Sequence, residues 1–523
     1  MLKKIRPSIV FIPGIIFITV IILGFIFHGE FIRVLNEAFE WLMWNFGWML
    51  SVGMLLFVAF MVFLLVHPIG NVRLGGKNAK PKLTFWQWFT VVLISGVGTG
   101  LVFWGPSPIT YAMQPPPSMG LEPGSNDAII WAMRTTFMHW TLTPYAIYVT
   151  FAVILAYVWH NLKKEAKVSQ SFSLLIGKKA ENKTFSAIID TLTVFAIVGG
   201  IAGSLGFGIL QLTSGLTSIF GVQVTNQPLT YTIIVAIITA IFTISAITGL
   251  KKGIVWLSDK EAWVVFFIMI FLLIVGPTAY IFNLMTQSVG SYLNNFVEGM
   301  TFTAPFNDGG LWPQWWDMFW WADWLSFGPI MGLFFARLGY GRTIKQFVFV
   351  NWLLPSAFGI FWFSAFGGTA LHAQFFGDTN MYQLFLDQGR EALTFATLDL
   401  VPLSNILRPL MFIIIALSCA TLTDSMVSTV SSISLRNNDG VEEAPKSLKI
   451  FWGLLIGASA LVFTLTGGIS GIQMVKTFAG FPILFVGLAM LAGFMKYILT
   501  KAPRDNYGHY VENDAIKQEE EGI

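Results

Sequence analysis

Charge is scarce in this chain. Lys, Arg, Asp and Glu make up 11% of its 523 residues, against roughly 25% in soluble domains, which excludes an ordinary water-soluble protein. Cysteine is nearly absent. The single Cys419 rules out an intramolecular disulfide and any thiolate metal centre. The six histidines show no ligand spacing, and no nucleophile–base grouping or phosphate-binding loop stands out, so neither metal nor cofactor is expected. A net charge of +3, spread along the chain, gives nucleic acid nothing to grip.

Apolar and aromatic residues fill the space. Hydrophobic residues are 55% of the chain, with 20 Trp, 49 Phe and 49 Gly, the composition of an all-α polytopic membrane protein. Twelve spanning segments are expected, near 9–28, 46–66, 85–113, 130–158, 186–220, 229–250, 262–285, 314–336, 346–367, 402–432, 448–468 and 477–499. Met1–Arg6 with the following apolar run mimics a signal peptide, but no small-residue cleavage site follows, so the segment reads as a retained helix. Of the 31 Lys and Arg residues, all but Arg33, Arg134, Arg390, Arg408 and Lys476 fall at the termini or on alternate loops. That asymmetry places both termini in the cytoplasm of a multi-pass protein in the cell membrane.

Two segments carry interruptions. The third holds Gly96-Val97-Gly98-Thr99-Gly100 and Gly105-Pro106-Ser107-Pro108, and the eighth holds Gly328-Pro329. Glycine permits unwinding and proline removes a backbone donor, so both helices are expected to break in mid-membrane. If each break opens a block of five helices, the chain divides into 1–84 (two peripheral helices), 85–311, 312–499 and a tail of 500–523. Such matched halves describe an inverted repeat with a site at the midplane.

The stretch from Gln314 to Pro329 is the most telling. It places five tryptophans beside acidic residues at the head of an apolar segment. At about 100° per residue, Trp320, Asp323, Trp324 and Phe327 share about one third of the helix circumference. An aromatic face in a membrane segment is ordinarily an interfacial belt. Asp323 argues for an inward face, because a carboxylate turned to lipid is costly. Ring faces attract a quaternary ammonium without asking it for hydrogen bonds.

At these residues the chain resembles the betaine/carnitine/choline transporters. The eighth-span block Phe319–Pro329, continuing through Phe335-Ala336-Arg337-Leu338-Gly339-Tyr340-Gly341-Arg342-Thr343, is similar to the family signature. So are Gly96–Gly105, His139-Trp140-Thr141-Leu142-Thr143-Pro144-Tyr145-Ala146-Ile147-Tyr148, Ser204-Leu205-Gly206, Thr248–Gly253 and Thr423-Asp424-Ser425. The resemblance implies a LeuT-type five-plus-five inverted repeat preceded by two helices, usually a homotrimer. It puts the aromatic cage on Trp140, Tyr145, Tyr148 and Trp324, and substrate-facing backbone amides at Gly96, Gly98 and Gly100. Together these would hold a zwitterion: rings for the ammonium, amides for the carboxylate.

Departures from the pattern bear on coupling and substrate. Sodium-coupled members place two threonines where this chain has Ile197 and Ile201, and an aromatic where it has Ile330. A second sodium site loses a hydroxyl at Leu422, beside Thr421. Met331 lies near a methionine of sodium-independent exchangers. Asp323 stands where the family usually has Trp, as a counter-charge for a cationic substrate, a proton carrier, or a bystander in a wet vestibule. Choline carriers often have Asp at the position of Gly100. The chain is therefore expected to be a secondary transporter of quaternary-ammonium compounds; a polytopic membrane enzyme or a channel is the alternative.

Overall fold

The computed structural model describes residues 5–222, 224–248, 251–306, 310–436, 444–504 and 510, with the side chains of 94–99, 248 and 251–259 left out of the description. Among these the architecture is all-helical, with only isolated β-bridges such as Arg73 with Thr343. Among the described residues eight helices are long and apolar enough to cross a membrane, and the pair Lys260–Val275 and Thr278–Asn294, bent by 106°, meets the same measure when taken together. The outer helices turn Ile15, Phe25, Ile26, Ile237, Ile244 and Leu454 outward. Such a rim of large apolar side chains suits lipid rather than water.

The bent pair lies where a single segment is expected at 262–285. Helix Lys251–Val275 ends and Thr278–Asn294 begins across Gly276-Pro277. Pro277 cannot donate to the carbonyl of Leu273, and the Thr278 hydroxyl donates there instead, at 2.9 Å. A second division falls inside Lys446–Thr500, where Gly468 adopts φ +53°, a conformation open to glycine.

Three helices form the centre: Leu142–Ala156, Phe319–Leu338 and the second half of Lys446–Thr500, with Lys183–Phe220 packed alongside. Glycines set the spacing. A Cβ on Gly332 would come within 2.6 Å of Phe151 Cβ, and one on Gly480 would overlap the Ala322 carbonyl. Close helix approach through small residues is the usual way to gain packing energy where lipid removes the hydrophobic drive.

The expected breaks are corrected here. Helix Phe319–Leu338 runs unbroken through Gly328-Pro329. Gly328 lies against Ile147 and Phe151, where a Cβ would meet a ring carbon at 3.0 Å, so it serves close packing rather than unwinding. Likewise Phe85–Trp104 is continuous helix across Gly96–Gly100, and its interruption comes at Gly105-Pro106. The carbonyls that lose donors there are taken up elsewhere: Leu101 O by the Trp362 indole at 3.0 Å, and Val102 O by the Thr394 hydroxyl at 2.8 Å.

Candidate functional site

The site grows from a break that sequence reasoning missed. Trp140 and Tyr148 are expected on one helix, but Asn126–Trp140 and Leu142–Ala156 meet at Thr141, whose backbone is non-helical at φ −124°, ψ −109°. Pro144 is the signal, because it has no N–H for the carbonyl four residues earlier. Two carbonyls at the break accept indoles from other helices: His139 O from Trp324 Nε1 at 3.1 Å, and Leu142 O from Trp352 Nε1 at 2.7 Å. A backbone need thereby fixes the orientation of Trp324.

Around Trp324 the structure brings together Trp140, Tyr145 and Tyr148, with ring centroids 5.4, 5.9 and 5.2 Å from the Trp324 ring. All four are buried. The Trp140 ring also meets Trp320 at 4.7 Å and Phe363 at 5.3 Å. A Cβ on Gly100 would lie 2.9 Å from the tip of the Trp140 indole, so glycine is what lets that ring sit against the Phe85–Trp104 helix. Gly96 and Gly98 lie on the same helix, their contacts outside the described residues. The amides of 96–100 belong to an unbroken helix rather than to an exposed turn. Trp140 and Tyr148 meet Trp324 near edge-to-face, and Tyr145 is tilted against it at 49°.

Asp323 is not in a wet vestibule. It is 6% exposed, and its Oδ1 accepts from Lys476 Nζ at 2.5 Å. Lys476, expected at a membrane face, is instead buried in mid-helix, its ammonium 5.2 Å from the Phe207 ring and 5.4 Å from that of Phe327. Gly203 admits the lysine stem, since a Cβ there would come within 2.4 Å of Cγ. The charge of Asp323 is thus matched before any ligand arrives. Nearby, His139 Nε2 and Asp317 Oδ1 are 2.6 Å apart and buried. The Trp320 indole donates to the Tyr111 hydroxyl at 3.3 Å.

Ile197, Ile201 and Ile330 are buried and bring no side-chain oxygen. Among the described residues no group of three or more His, Cys, Asp or Glu could hold a metal ion.

A buried cluster of ring faces inside a helical membrane bundle is an arrangement suited to an organic cation or zwitterion. Comparison with known proteins gives the family. Residues 8–503 match the betaine/carnitine/choline family transporter profile. The chain is 34% identical to the glycine betaine transporter OpuD of Bacillus subtilis, covering 94% of each chain. It is 31% identical to a probable glycine betaine transporter of Desulfitobacterium hafniense, over 96% of this chain and 99% of the other. With the ectoine/hydroxyectoine transporter of Virgibacillus pantothenticus it shares 30% identity, over 95% and 97%. The chain belongs to the betaine/carnitine/choline transporter family, and it is a secondary transporter, not an enzyme.

Proposed function

We propose that the chain carries a glycine betaine-like zwitterion by alternating access, the cage of Trp140, Tyr145, Tyr148 and Trp324 holding the trimethylammonium. The convergence of four buried rings from three helical segments carries this reading. A desolvated quaternary ammonium gains about 2 kcal/mol or more from such faces. Two observations favour a zwitterion over a plain cation. Asp323 is already neutralised by Lys476, and the position beside Trp140 is Gly100 rather than a carboxylate. Relatives named for glycine betaine agree.

The topology we propose has twelve crossings, both termini in the cytoplasm and the trimeric assembly the family implies. Beside the eight long helices and the bent pair stand two 20-residue helices, Phe85–Trp104 and Phe319–Leu338, and Gly468 divides Lys446–Thr500 in two; so counted, twelve result. The segments 85–311 and 312–499 are the two five-helix halves of this proposal. Phe327 contributes through Lys476, whose ammonium lies over its ring.

Uptake of labelled glycine betaine into proteoliposomes, challenged with unlabelled glycine betaine, carnitine and choline, tests the reading. Saturable uptake inhibited most strongly by glycine betaine supports it. Non-saturable flux would indicate a channel, and a chemically altered label an enzyme.

A further inference from the structure

Arg390 lies on the short link between helices Met381–Gln388 and Ala392–Asp399 and is 3% exposed. Its guanidinium carbon stands 4.7 Å from the Trp104 ring centroid, 5.0 Å from Trp316 and 5.4 Å from Phe385. Ring faces offset part of the cost of burying a charge, but they do not supply the negative charge that normally accompanies a buried cation. Nη1 donates to the Thr110 hydroxyl at 2.5 Å. That hydroxyl donates on to Ser107 O at 2.9 Å, so its one proton is spent. Nε is buried without an acceptor. Among the described residues Arg390 forms no ion pair. Glu391, the next residue, turns its carboxylate back over Gly389, where a Cβ would meet the oxygens at 2.7 and 2.9 Å. Burial lowers the pKa of Arg390 to about 10, so the guanidinium is charged at neutral pH.

Two more unspent donors stand beside it. Ser107 N bonds to Trp104 O at 3.0 Å, and Thr110 N bonds to Ser107 O at 3.0 Å. This three-residue spacing stacks positions 104, 107 and 110 on one face, and Pro106 and Pro108 help to hold the turn by fixing their own backbone. Arg390 covers that face, packed on the Trp104 ring and bonded to Thr110. Trp104 Nε1 and Ser107 Oγ are buried with no partner, as is Arg390 Nε. One full positive charge, an indole N–H, a hydroxyl and a guanidinium N–H therefore lie together in a dry place. A cluster made only of donors around a positive charge is built for an anion.

We infer that Arg390 Nε, Trp104 Nε1 and Ser107 Oγ bind a chloride ion that neutralises the buried guanidinium. Chloride accepts hydrogen bonds from any direction, and its single charge balances that of Arg390. It also leaves water more readily than sulfate or phosphate, which matters among ring faces. The carboxylate of a zwitterion fits poorly, because its own ammonium would be held beside a guanidinium that already occupies the rings. The bound ion would tie the 389–391 link to the segment from Gly105 to Thr110. No cage residue takes part, so the inference stands apart from the cage reading.

Thermal unfolding of the purified full-length protein tests it, with sodium gluconate exchanged stepwise for sodium chloride at constant ionic strength. The wild-type melting temperature should rise saturably with chloride, and bromide should substitute. Arg390→Gln should show no chloride response. Trp104→Phe keeps a ring and deletes the N–H, and Ser107→Ala deletes the hydroxyl. Each should raise the half-saturating chloride concentration about 10-fold, and these two variants decide the matter alone if Arg390→Gln fails to fold. A melting temperature indifferent to chloride overturns the inference. So does a chloride response that is the same in wild type, Trp104→Phe and Ser107→Ala. Loss of the chloride response on adding glycine betaine to Trp324→Ala would also overturn it, by giving these donors to the substrate carboxylate.

Discussion

In the proposed cage Trp324 combines a ring face with a fixed orientation. Its indole is tied to His139 O, and its ring is central to Trp140, Tyr145 and Tyr148. Trp324→Ala should weaken binding of a trimethylammonium ligand about 30-fold, the equivalent of about 2 kcal/mol. Trp324→Phe should lose less, because a ring remains. Calorimetric titration checks both, and equal affinity across the three proteins would remove Trp324 from the site. Asp323 calls for a different experiment. With its partner Lys476 buried beside it, Asp323→Asn strands an ammonium and should destabilise the protein by about 3–5 kcal/mol. Asp323→Asn with Lys476→Met removes both charges and should recover most of the thermal stability. In that double variant the rank order of glycine betaine, carnitine and choline should be unchanged; a selective loss of choline would show that Asp323 sees the substrate. The four positions of the proposed cage could be picked out in the sequence by their motif context, and the structure brings their rings together. The ion pair could not: Asp323 and Lys476 are 153 residues apart, and only the approach of two helices makes them partners.

Glycine and proline were only partly legible at the element scale: Gly276-Pro277 went unread within one expected segment, and Gly328-Pro329 was read as a break that is not there. Gly276-Pro277 bends the chain by 106°, Gly105-Pro106 ends a helix, and Gly328-Pro329 does neither. The difference lies in the neighbours. Gly328 and Gly332 are pressed against the Leu142–Ala156 helix, and packing on that scale outweighs one lost backbone hydrogen bond. Gly332→Leu should therefore separate these helices and lower the melting temperature, an overpacking cost of about 1–3 kcal/mol. An unchanged melting temperature would contradict this role for Gly332. The break at Thr141 went unread because Pro144 stands three residues beyond it, inside the next helix. Its consequence, two carbonyls turned to indoles, depends on tryptophans in distant segments.

For the whole molecule, the membrane class and the helical architecture were legible from apolar runs, since lipid leaves a backbone few alternatives. Coupling belongs to this scale. Isoleucines at 197, 201 and 330 bring no oxygen, and a hard cation such as sodium is held by several. Replacing sodium by potassium at constant pH and ionic strength should change uptake little; a saturable sodium requirement would show that other oxygens build a site.

The central claim is that a quaternary-ammonium substrate is carried through the Trp324 cage. Counterflow in proteoliposomes tests it most directly: vesicles loaded with unlabelled glycine betaine are diluted into a trace of labelled compound. Wild-type protein should accumulate the label transiently above equilibrium, and Trp324→Ala, reconstituted at equal density, should not. Equal counterflow by the two proteins, or none by the wild type with glycine betaine, carnitine or choline, would contradict the account.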